Sequence, residues 1–322
     1  MTAQQKQQTQ ERLIPLLAVV GPTAVGKTKI AISLAQKLNG EIVSADSVQV
    51  YRHLNIGSAK PTMQERQGVP HHLLDIVEPD TNFTVYDYQQ RAKKVIQAIN
   101  RRNKLPILTG GTGLYIKAVL DDYHFSSGKT NVLIRKRLQE ELARQGKEHF
   151  YRRLQQIDPA TAKKVHPNDL RRILRALEYF YLTGEPISRQ WERTKKKKKH
   201  PYRLTLIGLT MQRNILYETI NKRAERMLAA GLLTEVKQLL AKGYKSSLKS
   251  LQSLGYYHLI QYLEGKWDWE TAISAFKRDT RRYAKRQLTW FRADQRVCWY
   301  TLEPQADLNP VLDHICSKIE GY

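Results

Sequence analysis

The sequence predicts an α/β protein in which a parallel sheet is flanked by helices and an all-helical segment is inserted partway along the chain. Three observations carry this. Gly21-Pro22-Thr23-Ala24-Val25-Gly26-Lys27-Thr28 meets the phosphate-loop pattern G-x-x-x-x-G-K-[ST] at every fixed position. The loop is preceded by an apolar run at 13–20 and followed by a helical pattern at 29–38, with Ile30, Leu34 and Leu38 on one face. A basic, helical block then separates this region from a later apolar strand at 203–209. Strand, glycine loop and helix in this order predict a core of the phosphate-loop nucleoside triphosphatase type.

The elements follow in order. Residues 41–46 form a short strand around Ile42 and Val43, ending in Ser44-Ala45-Asp46-Ser47. Active groups of open α/β sheets lie just past the carboxyl ends of strands, so Asp46 is expected beside the phosphate loop. Residues 50–63, with Ile56-Gly57 and Lys60-Pro61, read as an irregular loop, and 69–76 as an edge strand. An amphipathic helix covers 84–102, with Tyr88, Ala92, Val95, Ile96 and Ile99 inward. Residues 105–109 are a buried strand. Gly110-Gly111-Thr112-Gly113 and a helix from Leu114 follow, so a second backbone cradle is expected at the same end of the sheet.

From 121 to 200 the chain holds 20 Lys and Arg against 10 Asp and Glu. Helices are expected at 132–145, 147–156, 159–165 and 168–182, and Lys195–Lys199 reads as a solvated charge run. The strand at 203–209 returns to the sheet, and 213–290 is helical with turns at Gly231, Gly243, Gly255 and Gly265. This divides the chain into a core of 12–122 plus 202–322 and a helical insertion of 123–201. Residues 1–11 are expected to be a disordered tail without the apolar run of a signal peptide.

The whole chain of 322 residues carries a net charge of +24, which favours a polyanionic partner, nucleic acid ahead of anionic membrane. No apolar stretch approaches the ~18 residues of a membrane span. With only Cys298 and Cys316, neither a disulfide framework nor a zinc ribbon can be built, so a reducing, cytoplasmic compartment is expected. Nothing suggests a large exposed apolar seam, and a monomer is expected.

The phosphate loop implies backbone N–H groups and a helix N-terminus around phosphate oxygens. Lys27 would neutralise a terminal phosphate and the Thr28 hydroxyl would bind Mg²⁺. Asp46 fits a metal-linked carboxylate, a general base or a turn cap. Asp75 is its one competitor as a strand-end carboxylate. Two helices resemble nucleic-acid grips: Arg171, Arg172 and Arg175 within one turn, and Arg278, Arg281, Arg282, Lys285 and Arg286 along a stripe with few acidic residues at i±4. Ile173, Leu174, Leu177 and Phe180 supply the packed side of the first helix. From spacing alone Arg223 is an ordinary surface arginine, and His71-His72 on a strand would point to opposite faces and form no metal cage.

Several stretches together resemble the tRNA dimethylallyltransferase (tRNA isopentenyltransferase) family in its bacterial form. They are the phosphate loop at 21–28, Ser-Ala-Asp-Ser-Val-Gln-Val-Tyr at 44–51, Ile-Gly-Ser-Ala-Lys-Pro at 56–61 and Pro-His-His-Leu-Leu-Asp at 70–75. Gly-Gly-Thr-Gly-Leu-Tyr at 110–115, Arg-Ile-Leu-Arg-Ala-Leu-Glu at 172–178 and Thr-Arg-Arg-Tyr-Ala-Lys-Arg-Gln-Leu-Thr-Trp-Phe at 280–291 complete the set. Two positions depart from the family pattern: Ser58 where threonine is usual, and Arg171 where glutamine is usual.

The resemblance implies that the loop, Gly21 to Thr28, holds the pyrophosphate of dimethylallyl diphosphate with Mg²⁺. The five-carbon group would pass to N6 of adenosine 37, beside the anticodon, in tRNAs reading codons that begin with U. It further implies that Asp46 is the base and that Thr23 and Arg223 face the diphosphate. The implied tRNA-facing set is Asp46, Ser47, Val48, Gln49, Thr112, Arg135, Arg171, Arg172, Ile173, Leu174 and Arg175, to which the stripe adds Arg278, Arg281 and Arg282. N6 is not reachable in a stacked anticodon loop, so a flipped base is expected. Competing readings are a small-molecule kinase using the loop for ATP, an isopentenyltransferase acting on free adenine nucleotides, and an RNA-remodelling ATPase. Neither of the first two needs the basic insertion, and the third predicts ATP turnover without a covalent mark on RNA.

Overall fold

The computed structural model describes residues 13–123, 132–196, 201–303 and 306–320. The expected tail at 1–11 and Lys197–Lys199 lie outside these residues. Two compact units are present, one of residues 1–120 and 201–322, the other of residues 121–200.

The first unit is built on a six-stranded sheet in the order β3-β2-β4-β1-β5-β6. Its strands are β1 (Ile14–Val20), β2 (Gly40–Ser44), β3 (His71–His72), β4 (Leu105–Gly110), β5 (Tyr202–Thr210) and β6 (Cys298–Thr301). Every pairing is parallel. Central β1 lies between β4 and β5, with Val20 level with Gly110 and with Gly208. Leu16, Ala18 and Val20 pack into one core, while Leu17 and Val19 pack into the other. That alternation is why this strand reads as a continuous apolar run: it is covered on both faces.

The helices of this unit are α1 (Lys27–Lys37), α2 (Val85–Arg101), α3 (Gly113–Leu120), α8 (Arg213–Ala229), α9 (Leu232–Ala241), α10 (Tyr256–Leu263), α11 (Trp269–Arg292) and α12 (Asn309–Glu320). One core joins α2, α3, α9 and α10 to the sheet, and the other joins α1 and α12. α2 starts at a capping box in which the Thr84 hydroxyl takes the Asp87 N–H and the Asp87 carboxylate takes the Thr84 N–H. β3 is the expected edge strand but only two residues long; positive φ at Leu73 and Asp75 turns the chain away. Residues 50–63 contain no regular element, as expected, and are held from beneath. The Glu235 carboxylate accepts the Asn55, Ile56 and Gly57 N–H groups and the Tyr256 hydroxyl. β6 and α12 were not anticipated; the four residues Cys298-Trp299-Tyr300-Thr301 are too few to show a period.

The second unit contains α4 (Val132–Ile157), α5 (Pro159–Ala162), α6 (Leu170–Thr183) and α7 (Ile187–Lys196) around its own core of Leu138, Phe150, Leu154, Ile173 and Leu177. The two helices expected at 132–145 and 147–156 meet at Gly146, whose φ of 78° and ψ of 168° break the helical path. α7 was not anticipated, since its sequence is dominated by polar and charged residues.

Candidate active site

The phosphate loop, the strand-end loops after β2 and β4, and α8 and α11 all belong to the first unit. β1 ends at Val20 and the phosphate loop curls over its carboxyl end. Gly21 has a φ of 145°, and a Cβ there would run into the Leu209 carbonyl oxygen of β5. Val25 is buried and anchors the loop in the core beneath it. Gly26, with φ of 94°, caps α1 without a side-chain hydrogen bond, so the first-turn amides are left for a ligand.

The loop opens onto a cavity of about 420 Å³ lined by Thr23, Lys27, Thr28, Asp46, Ser47, Val48, Gln49, Arg223, Tyr283 and Gln287, among others. Lys27 Nζ donates to the Pro22 carbonyl at 2.7 Å. Burial pulls its pKa down to about 7; the Arg223 charge pushes the same way and Asp46 opposes both. Burial likewise lowers the Arg223 pKa, again opposed by Asp46. Two enclosed cations and one carboxylate therefore share the cavity. Arg223 is no ordinary surface residue: it is half-buried on α8 and faces the pocket.

Asp46 stands just past the end of β2, as expected. Its Oδ1 accepts the Val48 N–H at 2.8 Å and the Gln49 N–H at 3.2 Å. The turn-cap role and the pocket-facing role thus coexist in one carboxylate. Asp75, the competitor, pairs with Lys60 and does not line the cavity. Gln49 is tied inward: its side-chain carbonyl takes the Ser44 hydroxyl, and its amide donates to the Ser58 and Ala59 carbonyls. Thr112 links the two strand-end loops, accepting the Ser47 N–H at 3.0 Å while its own N–H goes to the Ala45 carbonyl.

Gln287 of α11 escaped the sequence reasoning. Its Oε1 accepts the Thr23 N–H at 2.8 Å and its Nε2 donates to the Gly111 carbonyl at 2.9 Å, bolting the phosphate loop to the second glycine turn. The available signal was a polar residue in phase with buried Ala284 and Phe291, since buried polar groups at apolar positions have partners. His71 is the second omission. Its ring donates from Nδ1 to the Val69 carbonyl at 2.8 Å and lines the cavity, and its buried Nε2 has no hydrogen-bond partner among the described residues. His72 turns the other way to Glu41, as the strand alternation predicted.

The basic stripe of α11 is better neutralised than its sequence suggested. Arg278 and Arg282 both pair with Asp279, whose own pKa is held down to about 2, chiefly by Arg278. Arg281 donates to the Asn221 side chain at 2.7 Å. The acidic partner sits at i+1 and i−3, not at i±4. Of this stripe Arg286 lines the cavity.

In the second unit, Ile173 is fully buried in the helical core and Leu174 packs against it. Of the expected RNA-facing pair Ile173 and Leu174, Ile173 turns its side chain wholly into the core, which leaves its backbone as the part a ligand can meet. Arg171 and Arg135 are exposed, whereas Arg172 pairs with Asp169 and Arg175 with Glu178.

A phosphate loop closing onto enclosed cations and one strand-end carboxylate defines the class: a phosphate-loop α/β protein with a cavity at the mouth of the loop. The particular family comes from comparison with known proteins. Residues 49–294 match the model of the IPP transferase family. The chain is 50% identical over 307 residues to a tRNA dimethylallyltransferase of Alkaliphilus metalliredigens, covering 95% of this chain and 97% of that protein. It resembles the crystal structure of the tRNA isopentenylpyrophosphate transferase of Bacillus halodurans with a TM-score of 0.71, at 41% identity, over 96% of this chain and 97% of the other. A eukaryotic dimethylallyltransferase crystallised acting on tRNA is similar with a TM-score of 0.79, at 28% identity, over 95% of this chain and 78% of the other. The chain belongs to the IPP transferase family.

Proposed function

We propose that this chain transfers the dimethylallyl group of dimethylallyl diphosphate to N6 of adenosine 37 in tRNAs reading codons that begin with U, and releases pyrophosphate. The observation that carries this is the convergence of Lys27, Arg223 and Asp46 on one cavity at the mouth of the phosphate loop. The C–O bond to the five-carbon group breaks as N6 bonds to the same carbon. Negative charge then grows on the departing pyrophosphate, where the α1 first-turn amides, Lys27 and Arg223 stand ready to meet it. Thr23, on the cavity wall, faces the same group. Asp46 takes the proton that N6 sheds; the amine is a weak nucleophile because its lone pair is shared with the ring.

Thr28 offers a hydroxyl to the cavity, and among the described residues no cluster of three or more acidic, histidine or cysteine side chains could hold a metal alone. This donor set fits Mg²⁺, which keeps waters and binds largely through substrate phosphates. When bound, Mg²⁺ would neutralise the diphosphate. A phosphoryl-transfer reading is less well supported. The strands flanking β1 end in Thr109-Gly110 and Leu209-Thr210, neither of which brings a carboxylate to the loop.

We further infer a cytoplasmic monomer. No described helix is long and apolar enough to cross a membrane. The test is pyrophosphate release: it should require dimethylallyl diphosphate, Mg²⁺ and unmodified tRNA together. Release of inorganic phosphate from ATP, with none from the allylic diphosphate, would return the chain to the kinase or ATPase reading.

A further inference from the structure

Among the described residues that line the reaction cavity, one buried polar side-chain atom lacks a hydrogen-bond partner: Nε2 of His71. The sheet sets its place. His71 stands level with Ile42 of β2, and Ile42 packs with Val69 and with Ile30 and Leu34 of α1. Side chains alternate along a strand, so the His71 ring lies on the α1 face of the sheet, while His72 turns to Glu41 on the other. α1 begins with Lys27 and Thr28, whose side chains line the same cavity. The unused nitrogen therefore belongs to the side of the cavity that the first turn of α1 closes.

The protons of the ring fix what this nitrogen can do. Nδ1–H donates to the Val69 carbonyl at 2.8 Å. Burial lowers the pKa of the ring, helped by the charges of Arg66 and His72 and opposed by the Val69 bond. A neutral imidazole that donates from Nδ1 offers Nε2 as an acceptor. A buried acceptor without a donor is costly, and a ligand that brings one relieves the cost. The neighbouring donors are committed elsewhere: the Ser44 hydroxyl to Gln49, and the Gln49 amide to the Ser58 and Ala59 carbonyls. The reactants bring none either. A diphosphate presents acceptor oxygens, the five-carbon group has no polar hydrogen, and the proton of N6 goes to Asp46. Water held by Mg²⁺ is the donor that remains. Mg²⁺ keeps several waters when it binds substrate phosphates, and the charge of the ion makes their protons stronger donors than those of bulk water.

We propose that His71 is a positioning residue for the hydrated metal: its Nε2 accepts a hydrogen bond from a Mg²⁺-bound water and so orients the Mg²⁺–diphosphate in the loop. This rests on the Mg²⁺ reading above. The link is one step removed from the ion, the kind of outer contact that orients a metal site without ligating it.

The experiment is calorimetry of pyrophosphate binding to the full chain, with and without Mg²⁺, for the wild type, His71→Asn and His71→Gln. An asparagine amide reaches the place of Nδ1 and keeps a donor for the Val69 carbonyl, but it leaves nothing at the place of Nε2. Glutamine is long enough to set its carbonyl oxygen there. The gain in affinity that Mg²⁺ brings should shrink ~10-fold or more in His71→Asn. Mg²⁺-free affinity and melting temperature should stay at the wild-type values, and His71→Gln should recover most of the gain. An equal Mg²⁺ gain in His71→Asn and the wild type would overturn the proposal. A loss as large without Mg²⁺ as with it would also overturn it and make His71 a structural residue of β3. Weakened tRNA binding beside an intact Mg²⁺ gain would overturn it by assigning Nε2 to an RNA hydroxyl. Should His71→Asn fail to fold, the wild type decides. Mn²⁺ bound with pyrophosphate should then show weak magnetic coupling to an imidazole nitrogen, identified by isotopic labelling of histidine, and absence of that coupling would overturn the proposal. If Mg²⁺ brings the wild type no gain, the Mg²⁺ reading falls and this proposal with it; a gain shared by the wild type and His71→Asn leaves that reading standing and removes His71 alone.

Discussion

Lys27 should make diphosphate binding depend on pH in a way an ordinary lysine cannot. Its pKa in the free protein is about 7, because burial and Arg223 disfavour the charged form. A bound diphosphate reverses that balance and restores the proton. If only the protonated form binds well, the competent fraction is about half at pH 7, about a tenth at pH 8 and about a hundredth at pH 9. The Kd for pyrophosphate should then rise about tenfold per pH unit above neutrality. Calorimetry at pH 7 in two buffers of different ionisation enthalpy should report uptake of about half a proton. Lys27→Met should bind weakly at every pH and lose that uptake. The same burial acts on stability. The unfolded lysine binds a proton up to about 10.5 while the folded one releases it near 7, so the penalty is complete below 7 and fades as pH rises between those values. At neutral pH Lys27→Met should therefore raise the melting temperature of the ligand-free protein. Pyrophosphate binding by the wild type with no proton uptake and a flat profile from pH 6 to 9 would refute the buried-lysine reasoning.

Three further outcomes follow from the contacts of the site. Asp46→Asn keeps an Oδ1 acceptor for the Val48 and Gln49 N–H groups but loses the charge, so kcat should fall by ~100-fold or more with tRNA affinity within a few-fold; equal loss for Asn and Ala in binding would make Asp46 a contact residue only. Gln287→Ala strands the Thr23 N–H and the Gly111 carbonyl, at a cost of about 1–3 kcal/mol in denaturant unfolding, and should raise KM for the diphosphate; wild-type stability would show that the bolt carries no load. Glu235→Gln removes the charge and leaves one acceptor oxygen, so an amide nitrogen faces either the Asn55 or the Gly57 N–H; this should cost about 2–3 kcal/mol, read as a lowered melting temperature with little change in kcat.

Local patterns proved informative where burial repeats along one element. β1, the phosphate loop and α1 were legible because a strand covered on both faces leaves an unbroken apolar run, the loop has a fixed residue pattern, and a helix covered on one face leaves a period. α2 was legible for the same reason, together with Thr84 and Asp87 at its start. β6 escaped because four edge residues have no period, and its place beside β5 is set by register far along the chain. The site was legible in part. Asp46 and the loop announce themselves by position, whereas Arg223 looked like surface because an α-helical spacing says which residues share a face, not what that face meets. Gln287 was hidden within a basic stripe, although its phase with Ala284 and Phe291 placed it indoors. Ile173 carries two readings: the motif places it beside Arg172 in a segment expected to face RNA, while its apolar phase turns its side chain to the core.

The most direct test of the central claim is nucleoside mass analysis of a tRNA transcript that has adenosine at position 37 and reads a U-initial codon, after incubation with the chain, dimethylallyl diphosphate and Mg²⁺. Isopentenyladenosine should form at that position and vanish when guanosine replaces the adenosine or asparagine replaces Asp46. An unmodified transcript, under conditions in which it is bound, would contradict the account.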